Sequence, residues 1–234
     1  MMRKLLLACG LLLVLPSVGR AAPIACVAGS LADYLALSDG CFLGSALADD
    51  FSPAPTLPGS TPIDPTAITV TPVPGSLAFD FGFSQSALAG EVFSVAFRYS
   101  LDAPPQNENR LSITGAAASG DGVVTALEIK CVGGQFALPD PSGCSGSEVN
   151  LIVGQDSIGP FANDKESFTF NSFFDVFAEI TIDGGLFGTA ALNGTVRSGF
   201  AAVPEPATLL MFGSGAAVLA ARRRKMLLAR HSHK

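Results

Sequence analysis

Tryptophan is absent from the 234 residues, tyrosine occurs twice, and histidine occurs only at His231 and His233. The middle of the chain therefore has no imidazole. A Ser-His-Asp triad, a histidine general base and a histidine metal site are excluded there. Charge is scarce, at 15% of residues. Between the two ends only five basic residues remain, Arg98, Arg110, Lys130, Lys165 and Arg197. Nineteen of the twenty acidic residues lie between Asp33 and Asp183, so nineteen against five leaves the whole stretch between the two ends at −14. Such a surface repels phosphates, which excludes nucleic acid as a partner. A phosphate-binding loop, a Gly-x-Ser-x-Gly elbow, a dinucleotide fingerprint and an EF-hand loop are also missing. No cofactor and no metal site are expected, and the chain reads as non-enzymatic.

What is present begins with the two ends. Arg3 and Lys4 precede an eleven-residue apolar run from Leu5 to Leu15, broken by Pro16 and followed by small residues. This layout predicts a secretory signal peptide over 1–21, read by the Sec export machinery. Cleavage after Gly19 or Ala21 fits the small-x-small rule. Ala21 is preferred, because the alternative leaves Arg20 beside the cut.

At the other end, Pro204-Glu205-Pro206 is followed by fifteen uncharged residues, Ala207 to Ala221, and then by Arg222-Arg223-Arg224-Lys225. The prolines keep helix from running back into the preceding chain. As a helix the apolar stretch rises about 22 Å, short of a hydrocarbon core of roughly 30 Å. Snorkelling basic side chains and local thinning cover the difference. The basic cluster is expected to stay on the cytoplasmic side. A single transmembrane helix over 207–221 and a basic tail over 222–234 are thus expected. This order, with Val203-Pro204-Glu205-Pro206-Ala207-Thr208-Leu209-Leu210 and then Phe212-Gly213-Ser214-Gly215, resembles the PEP-CTERM sorting signal of Gram-negative bacteria that make exopolysaccharide. The resemblance implies recognition through Pro204, Glu205, Pro206, Arg222, Arg223 and Arg224. It also implies processing near the PEP motif by an exosortase, a membrane protein resembling a cysteine protease-transpeptidase. The nine residues after the basic cluster, Met226 to Lys234, depart from the usual pattern.

The body, 22–202, reads as one mainly β domain. Phe79, Phe81 and Phe83 alternate with smaller residues. Phe93, Val95, Phe97 and Tyr99 alternate with Val92, Ser94, Ala96 and Arg98. Val123, Thr125, Leu127 and Ile129 continue the period, which places Glu128 and Lys130 outward. Phe174, Val176, Ala178, Ile180 and Ile182 form a further stripe. Period two with aromatic and β-branched residues predicts half-buried strands. Pro74-Gly75, Pro104-Pro105, Gly120-Asp121-Gly122, Gly133-Gly134 and Asp183-Gly184-Gly185 predict turns between them. The expected fold is an antiparallel β-sandwich, jelly-roll-like. One short N-terminal helix is expected where Ser30 and Asp33 form a capping box, with Leu31, Tyr34 and Leu35 on one face and Gly40 ending it. Ser52 to Pro65, with five prolines, reads as an extended loop.

Cys9 leaves with the signal, so Cys26, Cys41, Cys131 and Cys144 remain. An even count in an exported chain favours disulfides, and three pairings are open. The local ones, Cys26–Cys41 and Cys131–Cys144, are favoured because each closes a short loop of similar length. Cys26, Leu31-x-x-Tyr34-Leu35-x-Leu37, Gly40-Cys41, Ile68 to Pro72 and Glu128 to Gly134 also resemble secreted PEP-CTERM proteins of unknown function. That resemblance implies no activity.

The expected role is a non-enzymatic surface or extracellular-matrix protein, exported to the periplasm, outer surface or matrix, with a transient membrane contact through its tail. One alternative is a carbohydrate-binding sandwich module of the exopolysaccharide matrix, for which Tyr34 and Tyr99 are the only tyrosine platforms. The other is a carboxylate-based secreted hydrolase. Asp49-Asp50 is a poor dyad for that chemistry, because neighbours in an extended segment point apart.

Overall fold

The structure, a computed structural model, describes residues 24–137 and 143–201. The signal peptide expected over 1–21 and the sorting tail expected over 203–234, with its transmembrane helix, lie outside the described residues. Among the described residues no helix is long and apolar enough to cross a membrane.

The described chain is mainly β, with one short α-helix. In order come β1 (Ile24–Ala25), β2 (Gly29–Ser30), α1 (Leu31–Leu35), β3 (Cys41–Leu43), β4 (Ala46–Pro53) and β5 (Thr61–Pro62). A 3-10 turn (Pro65–Ala67) leads to β6 (Thr69–Pro72), β7 (Leu77–Ala87), β8 (Val92–Ile113), β9 (Ala116–Ser119) and β10 (Val123–Val132). The last four are β11 (Ser147–Asp156), β12 (Pro160–Asn163), β13 (Lys165–Asp183) and β14 (Thr189–Ala201). They join one hydrogen-bonded sheet in the order β12-β11-β10-β13-β8-β14-β7-β6-β2, with β4 and β5 also on β8 and β9 on β14. Pairing is antiparallel except for the short contacts β1–β3 and β5–β8.

Two long strands fold this sheet over on itself. β8 and β13 pair along their lengths, and the register slips between Ser167 and Phe173. Before this corner β8 runs between β4 and β13; after it, β8 runs beside β14. Pro104-Pro105 sits at the switch. The expected turn there is therefore corrected to a bend inside one continuous strand. Proline is tolerated because no ladder partner requires its missing N–H at the point where neighbours change. The two halves then face each other in a sandwich-like way. Phe81 meets Phe97 at 4.8 Å between ring centroids, and Phe174 meets Phe200 at 4.4 Å. Neither pair is made of ladder neighbours, so these contacts span the core.

The aromatic stripes of β7 and β13 bury as their alternation predicts, with Phe79, Phe81, Phe83, Phe174, Val176, Ala178, Ile180 and Ile182 all in the core. β10 takes the opposite phase to the expected one. Val124, Ala126, Glu128 and Lys130 are buried, while Val123, Thr125, Leu127 and Ile129 are half-buried. The first five residues of β10 are apolar or small in both phases, so period two does not choose between them. A shift of one residue exchanges the faces. On β8 the outward residues Ala96 and Arg98 are covered as well. A second, smaller core of Ala96, Cys131, Phe136 and Phe177 lies over them.

The N-terminal helix forms as its cap predicts. Ser30 Oγ accepts from the Asp33 N–H at 3.2 Å, and Ser30 N–H donates to Asp33 Oδ2 at 2.8 Å. The helix stops after Leu35, earlier than a Gly40 stop implies. Gly40 instead serves β3: its φ is +68°, and a Cβ there would lie 2.4 Å from the Ala48 carbonyl. The expected loop over 52–65 is partly ordered, because Ser52 and Pro53 close β4 and Thr61–Pro62 forms β5. Disulfides join Cys26 to Cys41 and Cys131 to Cys144, which are the local pairings.

Candidate functional site

Pro204, Glu205, Pro206 and Arg222 to Arg224 lie outside the described residues. The structure does place the end of β14: Ala201 lines a groove of about 850 Å³ with Phe200, Gln106, Thr71, Phe42 and Cys26. This apolar groove is where the body hands over to the tail sequence.

A smaller, more polar cleft of about 490 Å³ lies near Asp50, Ser100, Arg98, Gln135, Phe136 and Asp175. β4 bulges between Asp49 and Ser52. The bulge puts Asp50 at φ 53°, a left-handed conformation uncommon for a side chain other than glycine. The two aspartates serve different neighbours. Asp49 accepts a hydrogen bond from Ser100 Oγ, while Asp50 borders the cleft. Burial raises the Asp49 carboxyl above its ordinary value, against the opposing hydrogen bond from Ser100. Arg98 is nearly buried and ion-pairs through Nη2 with Asp175 Oδ2 at 2.6 Å. Phe136 donates its backbone N–H to the same oxygen at 2.8 Å, and its ring lies under the guanidinium. These contacts hold the Gln135–Phe136 segment over the outer face of β8. The cleft offers donors and acceptors to a polar ligand. Three serines, Ser38, Ser52 and Ser100, line it, and Ser100 Oγ donates to the Asp49 carboxylate.

Both tyrosines are buried, Tyr34 in the core with Phe51 and Phe79, and Tyr99 bonded to Ser198 Oγ at 2.8 Å. Burial pushes the Tyr34 hydroxyl up to about 12 and Tyr99 higher still. Neither presents a flat face to a sugar. Among the described residues no three His, Cys, Asp or Glu side chains gather as metal ligands.

The most unusual chemistry is inside the sandwich. Lys130 on β10, Glu128 two residues before it, and Asn109 on β8 are each 0% exposed. Lys130 Nζ donates to Asn109 Oδ1 and to the Gly199 carbonyl at 3.2 Å. It lies 2.8 Å from Glu128 Oε1 as an ion pair. The Phe200 ring sits 3.6 Å from the same nitrogen. Burial pushes the Lys130 amine below its ordinary value, and Glu128 opposes that shift. Asn109 Nδ2 and Glu128 Oε2 have no hydrogen-bond partner. The sequence reading missed this cluster because it faced Glu128 and Lys130 outward. The one signal available was two charges spaced two apart in a strand whose Val124 and Ala126 share their face.

These features define a mainly β, disulfide-bonded body with a sequence-distinct tail. Residues 202–225 match the PEP-CTERM protein-sorting motif family, so the chain carries that motif directly after β14. The motif marks an exosortase-sorted, secreted protein associated with the cell envelope. No curated protein matches the chain. Among solved structures it is similar to TmCBM61, determined in complex with β-1,4-galactotriose, at 12% identity over 66% of this chain and 88% of that one, TM-score 0.29. It is also similar to the enzymatically active domain of bacteriophage CBA120 tailspike protein 4, at 11% identity over 71% of this chain and 21% of that one, TM-score 0.22. At such TM-scores neither likeness bears on function.

Proposed function

We propose that the chain is a non-enzymatic surface or extracellular-matrix protein of a Gram-negative envelope. It is exported by the Sec machinery through its 1–21 signal, folds as a jelly-roll-like sandwich, and is processed by an exosortase at Pro204-Glu205-Pro206. The helix over 207–221 holds the tail in the membrane, and Arg222, Arg223 and Arg224 fix its orientation. The exopolysaccharide is the surrounding phase in which the released body resides. The observation that carries this reading is the sorting motif over 202–225, which begins at the residue after the last strand. Two disulfides support an oxidising compartment. The carbohydrate-binding alternative is disfavoured by the burial of both tyrosines.

The test is the C-terminal peptide of the protein recovered from its host with and without the exosortase gene. Processing predicts a new C-terminus close to Pro206 in the parent and a tail running to Lys234 in the deletion strain. A chain ending at Lys234 in both strains makes the tail a plain anchor and overturns the proposal.

A further inference from the structure

The geometry points to an intramolecular isopeptide bond between Lys130 Nζ and Asn109 Cγ, formed by the protein itself with Glu128 as the proton carrier. It is independent of how the tail is processed.

Three observations converge on it. First, the nucleophile and the carbonyl are already together, because Lys130 Nζ contacts Asn109 Oδ1 in a site closed to solvent. Held this way, an amine and an amide react as one molecule instead of two. Second, burial disfavours the Lys130 ammonium, and the Glu128 carboxylate that opposes this lies 2.8 Å from Nζ, placed to take its proton. Desolvation of this kind turns a lysine into a nucleophile. Third, the atom that would leave, Asn109 Nδ2, is the one with no hydrogen-bond partner. Unreacted, the cluster keeps a buried amide nitrogen without a hydrogen-bond partner, a costly arrangement. Bond formation removes that penalty.

The step balances. Lys130 starts as an ammonium with three protons on Nζ. One passes to the Glu128 carboxylate, 2.8 Å away, and frees the lone pair that attacks Asn109 Cγ. The protonated Glu128 then stabilises the oxygen of the tetrahedral intermediate by hydrogen bonding. A second proton moves from Nζ to Nδ2, the Cγ–Nδ2 bond breaks, and ammonia leaves. The third proton stays on the new amide. Charge is conserved, because the cation and the anion become two neutral groups. No oxidant or co-reactant takes part.

The bond would join β10 to β8 across the core, linking the leaf that carries β10 and β11 to the one that carries β14 and β7. Neither disulfide makes this connection. Cys26–Cys41 closes the N-terminal segment onto β3, and Cys131–Cys144 closes a loop next to β10.

The experiment is a tryptic map of the protein purified from expression of the full-length chain, shown folded by circular dichroism, then denatured, reduced and alkylated. The wild type is expected to yield a branched species in which peptide 99–110 is attached to peptide 111–165, lighter than their sum by one ammonia and uncut after Lys130. Glu128→Gln and Asn109→Ala are expected to yield the linear peptides 99–110, 111–130 and 131–165. Linear peptides from folded wild-type protein overturn the bond, whatever the variants do. A folded Glu128→Gln chain that is still branched overturns the role of Glu128.

Discussion

Asp121 shows how a single exposed carboxylate can organise a surface turn. Its two oxygens accept the backbone N–H groups of Leu186 and Phe187, each at 2.8 Å. Those bonds stabilise the ionised form and hold the carboxyl below its ordinary 3.8. The folded value is therefore lower than the unfolded one. The stabilisation is complete above the unfolded value and is lost as pH falls through the folded value. Thermal melts between about pH 2 and pH 5 should show an acid-side fall in wild type that is shallower in Asp121→Asn. Superimposable acid limbs in the two proteins would show that the turn does not depend on this charge. Lys130 is the contrasting case. Its burial acts in place of hydrogen bonds to solvent, and the result is a side chain prepared for reaction.

At the scale of elements, α1 is too short to be held by its own propensity. It persists because its ends are fixed and its apolar face is used. Leu31 and Tyr34 are buried, and Tyr34 packs edge-on against Phe51 and Phe79. Tyr34 also donates its hydroxyl to the Val27 carbonyl at 2.8 Å. Ser30→Ala removes the acceptor for the Asp33 N–H and should cost about 1 kcal/mol in urea unfolding. A change within error would mean that tertiary packing alone sets the helix start. The strands tell a related story. Phe79, Phe81 and Phe83 were legible because large side chains occupy only one phase. Val123 to Leu127 were not, because both phases are apolar or small, and only the opposing leaf determines which is inside.

At the scale of the molecule, one sheet encloses one principal core by bending two long strands through a shared corner. The outer face of β8 would be open without the segment around Phe136, which the Cys131–Cys144 bond and the Asp175 hydrogen bond retain. Replacing both of these cysteines by serine should lower stability to guanidinium by about 3 kcal/mol, by the chain-entropy model. It should also raise hydrogen exchange at the Phe136 amide. Unchanged stability and protection would show that Asp175 and the apolar contacts of Phe136 suffice.

Patterns carried by neighbours along the chain were decided by the sequence itself. These include the acidic middle, the period-two stripes of β7 and β13, the Ser30–Asp33 cap, the short cysteine loops and the sorting motif after β14. Each depends on residues close together, so local order and composition are enough. Tertiary structure alone decided the phase of β10, the passage of β8 through Pro104-Pro105, and the meeting of Lys130 with Asn109. Those two residues are 21 positions apart and lie on opposite leaves. Whether Lys130 faces water or reaches an amide depends on which surface the folded sheet lays against β10, and no local periodicity encodes that choice.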